Sequence, residues 1–205
     1  MRPGVVAVHW ETCMSLYDKA WSLREKLGRM TGKGFFGKIQ LKIARRAYTR
    51  MQEQLGFSIP AAIPFGTKPY FPHGLQGIFI SRRATIGKNC VIFHQVTIGV
   101  NTMVDSRGVG APVIGDRVFI GVGAKIIGGI KIGNDVRIGA NAVVTRDVPD
   151  NATVIGINDI RPGAPGRDNR YISRGPNGWQ ANDGVTSVPV APEHADLLER
   201  TIGNA

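Results

Sequence analysis

Aliphatic residues recur at every sixth position through the middle of the chain, at Ile80, Ile86, Ile92 and Ile98 and again at Ile114, Ile120, Ile126, Ile132, Ile138 and Val144. The pattern is interrupted over residues 99 to 113. This spacing fits neither a helical face nor the strict alternation of a half-buried strand. Glycine follows directly at Gly87, Gly99, Gly115, Gly121, Gly133 and Gly139. A small or branched apolar residue stands four positions after the aliphatic one, at Ala84, Cys90, Val96, Val118, Ala124, Ile130, Val136 and Ala142. Such a hexad predicts a short strand, a turn, and a further strand at an angle, with three hexads to each triangular coil. The aliphatic side chain points into the prism, the small one fits the crowded corner, and glycine permits turn geometries that a Cβ would hinder. Stacked coils then pair in parallel at about 4.8 Å, burying columns of Ile and Val. The predicted fold is mainly β, a parallel β-helix of hexapeptide repeats with an N-terminal helical segment.

Outside the repeat the pattern changes. "WETCMSLYDKAWSLREKLGRM" places Trp10, Met14, Tyr17, Trp21 and Leu27 near one helical face, and "FFGKIQLKIARRAYTRMQEQLG" does the same with Phe36, Ile39, Ile43, Ala47 and Met51. Gly32 and Gly34 separate the two helices. Residues 1–56 are therefore expected to be helical, residues 57–163 to form the β-helix with a loop projecting at 100–113, and residues 164–205 to be a tail. The tail is rich in Gly, Pro, Asn and Ser without a period, which predicts an extended or flexible segment before a short helix in "PEHADLLERTIG".

Composition adds a formal net charge of +11 and 27 glycines in 205 residues. The charge argues for an anionic partner, whether nucleic acid, an acidic membrane surface or a phosphorylated small molecule. Stacking aromatics are not interleaved with the basic residues of the repeat, so nucleic acid is not expected. The second helix carries Lys38, Lys42, Arg45, Arg46 and Arg50, which leaves open a peripheral membrane contact through residues 35–55 or packing on the β-helix end with the charges solvated. Cys13 and Cys90 have no CxxC spacing, and Cys90 occupies a small inward position of its hexad, where a core thiol is expected. No apolar run approaches the roughly 20 residues of a membrane span. Together with an N-terminus lacking signal-peptide features, this predicts a cytoplasmic protein, with the inner face of the membrane as the other option.

One histidine, His73, stands in "HGLQGIFI" just before the regular hexads, and His94 lies in "IFHQVTIG", 21 residues later. That spacing is one coil plus three residues, so adjacent coils can bring the two together. A neutral imidazole suits removal of a proton from an alcohol near neutral pH. His9 and His194 lie outside the repeat and are expected to be bystanders.

The segments "HGLQGIFI", "ATIGKNCVIFHQVTIG", "IGDRVFIGVGAKIIGGIKIGNDVRIGANAVVTRDVP" and "VIGINDIRPGAP", spanning about Phe57 to Gly163, resemble the left-handed parallel β-helix of hexapeptide-repeat acyltransferases. Within them the likeness is to serine O-acetyltransferases and to the related enzymes that acetylate sugars of surface polysaccharides. The resemblance implies an acetyl-CoA-dependent O-acetyltransferase, a homotrimer with active sites between subunits, and direct transfer with no metal. His73 matches the general base of that family, with one extra residue before Gly77-Ile78. His94 falls where serine acetyltransferases commonly hold glutamine and sugar-modifying relatives can hold histidine, so an active-site and a surface role both stand. Backbone contacts to the CoA arm would come from Val122 with Gly123 and Ala140 with Asn141, and Lys125, Arg137 and Arg161 would meet its phosphates. Asp105 and Arg107 are the polar residues of the projecting loop expected to reach an acceptor.

Departures from the serine acetyltransferase pattern bear on the acceptor. An aspartate there precedes the base, where this chain has Pro72; a second falls on Ser58; and a loop His-Pro becomes Ala111-Pro112. These losses point to a sugar hydroxyl of a bacterial surface glycan or its precursor, with L-serine as the alternative. A γ-type carbonic anhydrase would need three converging histidines, whereas the repeat and its approach hold only His73 and His94. A purely structural or ice-binding β-helix would show ranks of threonine, and Thr85 and Thr97 do not continue into one.

Overall fold

The computed structural model describes the backbone of residues 4–202 and the side chains of residues 16–202. His9, Trp10, Cys13 and Met14 therefore lie outside the described side chains. Two helices, α1 (Gly4–Arg29) and α2 (Gly34–Leu55), precede a run of short strands. These are β1 (Phe79–Ile80), β2 (Thr85–Ile86), β3 (Val91–Ile92), β4 (Thr97–Gly99), β5 (Val113–Ile114), β6 (Phe119–Ile120), β7 (Lys125–Ile127), β8 (Lys131–Ile132), β9 (Arg137–Ile138), β10 (Val143–Val144) and β11 (Thr153–Ile155). They make the three walls of a left-handed parallel β-helix: β1-β4-β7-β10, β2-β5-β8, and β3-β6-β9-β11, with β12 (Asp159–Arg161) added antiparallel at the edge of the third.

Register follows the hexad. Ile80 pairs with Ile98, Ile98 with Ile126 and Ile126 with Val144 in the first wall. Ile86, Ile114 and Ile132 align in the second, and Ile92, Ile120, Ile138 and Val154 in the third. All these side chains are buried, as are the corner residues Ala84, Cys90, Val96, Val118, Ala124, Ile130, Val136 and Ala142. Each fully buried Ile or Val contributes roughly 1.5–3 kcal/mol relative to exposure. Burial pushes the Cys90 thiol up to about 11, as fits a core thiol.

The reason for the glycines differs from the expected one. Gly87 does not adopt a positive φ; a Cβ there would lie 2.4 Å from the carbonyl oxygen of Gly115 in the next coil. Close approach between coils, not turn conformation, excludes a side chain. The left-handed turns fall instead three residues after the aliphatic position, at Asn89 (φ 55), Arg117 (φ 55), Asp135 (φ 57) and Asn151 (φ 62) along one corner. Asn and Asp tolerate that region better than most residues. Beside this corner a polar ladder joins the coils: Asp116 Oδ1 accepts from Lys88 N at 2.7 Å, Asn134 Oδ1 from Asp116 N at 2.8 Å, and Asp150 Oδ1 from Asn134 N at 2.7 Å.

The helices close the N-terminal end of the prism. Trp21 and Leu27 of α1 and Tyr48 of α2 share a core with Phe57, Ile59 and Ile63. Arg24 donates to the carbonyl of Ile63 at 2.6 Å and lies over the rings of Trp21 and Phe65, while Tyr48 Oη donates to the carbonyl of Ile59 at 2.6 Å. The packing face of α2 corrects the sequence reading. Leu41, Ala44, Tyr48, Met51 and Leu55 face the core, whereas Phe36, Ile39, Ile43 and Ala47 are exposed.

The tail also differs from expectation. Residues 171–189 form an antiparallel meander of β13 (Tyr171–Gly175), β14 (Gly178–Asn182) and β15 (Ser187–Pro189), followed by α3 (Pro192–Ile202). Pro176-Asn177-Gly178 is a hairpin signal in the sequence, and Gly178 takes φ +90 at that turn.

Candidate functional site

One corner of the prism, between the third wall and the first, carries most of the predicted site. His73 and His94 sit on adjacent coils with ring centroids 5.4 Å apart and planes at 79°. The column continues downward: Gly123 N donates to the His94 carbonyl at 3.1 Å, and Asn141 N to the Val122 carbonyl at 2.8 Å. Gln95 N donates to the Gln76 carbonyl at 3.0 Å in the same way, and the next residue in each coil is left-handed, at Gly77 (φ 68), Gln95 (φ 61), Gly123 (φ 70) and Asn141 (φ 54). The repeated turn therefore stacks Gln76, His94, Val122 and Ala140 in one line, and His73, three residues before Gln76 in a turn of its own closed by Gly74 N on the Phe71 carbonyl, brings its ring against His94 from beside that line. Lys125 joins this corner, its Nζ donating to the Gln95 carbonyl at 2.7 Å.

Aromatic rings surround His73. Phe93 lies 5.5 Å away and Tyr171, from the meander, 6.3 Å, both edge to face. Tyr171 stacks on Tyr70 at 5.6 Å and meets Phe93 at 5.7 Å. Burial, and secondarily the His94 imidazole, hold the His73 pKa below the usual histidine range. His73 is thereby kept neutral to lower pH than a solvated imidazole, as a base requires. Sequence reasoning misses Tyr171, because its strand lies in a segment whose composition reads as flexible tail.

The other predicted residues are distributed differently. Arg137, expected to meet phosphates, instead donates to Asn169 Oδ1 at 2.6 Å and to the Asp168 carbonyl at 2.8 Å, which holds it against the C-terminal segment. Arg161 pairs with Asp159 at 2.7 Å on the exposed β12 edge. Asp105 and Arg107 are exposed in the loop between β4 and β5, at the corner joining the first and second walls, so this chain does not bring them to its own His73 corner. Asn101 N and Gly110 O pair across the neck of that loop at 2.8 Å.

A cavity of about 360 Å³ adjoins the histidine loop, between α1, residues 68–75 and the meander turn. Tyr17, Trp21, Lys68, Tyr70, Gly74 and Thr186 are among its lining residues. Gly184 closes one side, where a Cβ would lie 2.6 Å from the Lys68 carbonyl oxygen.

Comparison with known proteins agrees with this architecture. Residues 111–146 match the family described as bacterial transferase hexapeptide (six repeats). A serine acetyltransferase of Mycobacterium tuberculosis is 38% identical over 141 residues, covering 69% of this chain and 58% of that protein. One from Staphylococcus aureus is 40% identical over 116 residues, covering 56% of this chain and 53% of its own. Among solved structures, the Neisseria gonorrhoeae serine acetyltransferase superposes with a TM-score of 0.57 at 33% identity, over 71% of this chain and 52% of that one. The soybean serine acetyltransferase apoenzyme gives 0.55 at 32%, over 69% and 55%. The chain thus spans between half and three-fifths of the length of these relatives. It is a left-handed β-helix carrying the bacterial transferase hexapeptide repeat, and it resembles the acyltransferases of that fold, the serine acetyltransferases in particular.

Proposed function

We propose that the chain is an acetyl-CoA-dependent O-acetyltransferase in which His73 is the general base and L-serine the acceptor. The observation that carries this reading is the pair of His73 and His94, rings 5.4 Å apart, with His94 stacked on the corner of Val122, Gly123, Ala140 and Asn141. His73 takes the proton of the acceptor hydroxyl as its oxygen bonds to the thioester carbonyl carbon. The C–S bond then breaks, and the proton passes from His73 to the departing CoA sulfur. Negative charge developing on the carbonyl oxygen calls for hydrogen-bond donors, and the N–H groups of Gly123 and Asn141 are already committed to the His94 and Val122 carbonyls.

His94 serves as neighbour and tuner of His73. Among the described residues its Nδ1 is buried with no hydrogen-bond partner, a cost that a bound ligand's polar group would relieve. The residues fit a pantetheine arm at Val122–Gly123 and Ala140–Asn141, where Ala140 and Asn141 are exposed. Lys125 is the phosphate partner on that corner, with Arg161 as a second cation once it leaves Asp159. Arg137 would have to give up Asn169 to take part. Asp105 and Arg107 would reach the histidine corner from a neighbouring subunit of a homotrimer. The proposed location is the cytoplasm.

The names of the relatives favour serine over the sugar acceptor to which the sequence departures point. A sugar hydroxyl stays as second reading on one observation: Ser58, Pro72 and Ala111 offer no charge to a zwitterion. Release of free CoA from acetyl-CoA, measured with L-serine and with a panel of nucleotide sugars, tests both. Serine-dependent turnover that falls about 10²–10⁴-fold in His73→Ala is expected. Turnover with sugars alone would replace the acceptor, and turnover surviving in His73→Ala would remove the base.

A further inference from the structure

The outer face of α2 combines two features that the core does not use. Phe35 and Phe36 are 74% and 79% exposed, and Ile43 is 61% exposed. Ile39 lies on the same stripe, also exposed. The spacing of Phe35, Phe36, Ile39 and Ile43 places them on one side of the helix, opposite Ala44, Tyr48, Met51 and Leu55, which face the core. Lys38, Lys42, Arg45, Arg46 and Arg50 flank and interleave this stripe, and Glu53 in the last turn is the only acidic residue of α2. Lys38, Lys42, Arg45, Arg46 and Arg50 also line a shallow groove with Leu41 and Thr49.

We propose that this face docks on an anionic lipid bilayer surface. An interfacial helix needs apolar and aromatic side chains long enough to enter the acyl boundary, beside cations that remain among the headgroups. Phe35, Phe36, Ile39 and Ile43 supply the first, and the five cations supply the second. The lysine and arginine stems let their charges reach outward while the apolar stripe inserts. Two-fold pairing of this face with itself is disfavoured, because it would set five cations against five with one carboxylate per copy to offset them. Nucleic acid would use the cations but gain nothing from Ile39 and Ile43. Among the described residues no helix is long and apolar enough to cross a membrane, so the contact is peripheral. The proposal does not depend on which acceptor the histidine corner serves.

Co-sedimentation of the full chain with vesicles tests it. The protein should pellet with vesicles of equal parts phosphatidylcholine and phosphatidylglycerol, stay in solution with phosphatidylcholine alone, and be released as salt is raised. Lys42→Gln and Arg46→Gln should each weaken partition about fivefold. Phe35→Ser combined with Phe36→Ser should weaken it at least about tenfold while leaving the fold intact, since neither ring is in the core. Equal pelleting with neutral vesicles, or no pelleting with anionic ones, would overturn the proposal. So would binding indifferent to the double Phe change, which would reduce it to bulk charge attraction. A fall in native mass in that double variant would assign the face to a second copy instead.

Discussion

The β-helix and the C-terminal meander are both made of short strands, yet they are held together in opposite ways. Each coil of the β-helix pairs with chain a whole turn away and turns an Ile or Val into a dry interior, as in the fully buried column Ile92, Ile120, Ile138 and Val154. Strands β13, β14 and β15 pair with their sequence neighbours, and Ala181 is their one buried apolar residue. The meander is fastened to the wall by side chains instead. Asn169 receives Arg137 Nε and donates to the Arg117 carbonyl at 2.9 Å; Arg167 donates to Thr153 Oγ1 at 2.9 Å and to the Asn151 carbonyl; Tyr171 stacks on Tyr70. One region is a scaffold whose loss unfolds the protein. The other is an attachment that shapes the surroundings of His73 and, with so little buried apolar surface, is expected to open first.

Substitution of glycine in the two regions breaks the comparison most sharply. Valine at Gly87 forces a Cβ to within 2.4 Å of backbone in the next coil, so the coils must separate. A loss of about 3 kcal/mol is expected, read as a lowered midpoint of thermal or urea unfolding for the whole chain. Alanine at Gly178 meets nothing within 4 Å and strains only its φ of +90. Its cost should be about 1–2 kcal/mol and confined to the hairpin. Equal global destabilisation by both would show that the meander is integral to the scaffold.

The same contrast explains what can be read from the chain alone. Ile80 to Val144 repeat because every coil solves one packing problem, so period, register and core are legible in the order of residues. The meeting of His73 with His94 takes three residues more than that period, which the turns at Gly74 and Gly77 absorb. The role of Gly87 is not legible, because the clash it avoids involves a coil distant in sequence. Nor is the packing face of α2: Phe36, Ile39 and Ile43 form as good an apolar stripe as Ala44, Tyr48 and Met51, and only the tertiary partner decides which one turns inward. Tyr171 escapes for a simpler reason, since the Pro176-Asn177-Gly178 turn marks a hairpin that tail composition obscures.

A smaller effect is expected from Asn169→Ala. It removes the partner of Arg137 Nε and one tie to the Arg117 carbonyl, leaving a partly buried guanidinium short of an acceptor. About 2 kcal/mol of local stability should go, because an unsatisfied buried donor costs more than the bond it made. Amide hydrogen exchange should quicken in β13 and β14 while β6 and β9 keep their protection. Uniform acceleration through the β-helix would instead mean that the two regions unfold as one.

The finest test concerns how each region acts on His73. Burial is the larger cause of its lowered pKa, and the charge of His94 the smaller. Because the proposed base works in its neutral form, kcat/KM should fall on the acid side only below the ordinary histidine range, as protonation of the free enzyme sets in. His94→Gln removes the charge, raises the His73 pKa and moves that acid limb upward. Tyr171→Ala strips a ring of the meander from the imidazole, exposes it to water, and moves the limb in the same direction. A larger shift in the Tyr171 variant would assign the tuning of the base chiefly to the meander. A greater shift in His94→Gln would return it to the scaffold, and an acid limb that neither variant moves would mean that protonation of His73 does not govern the reaction.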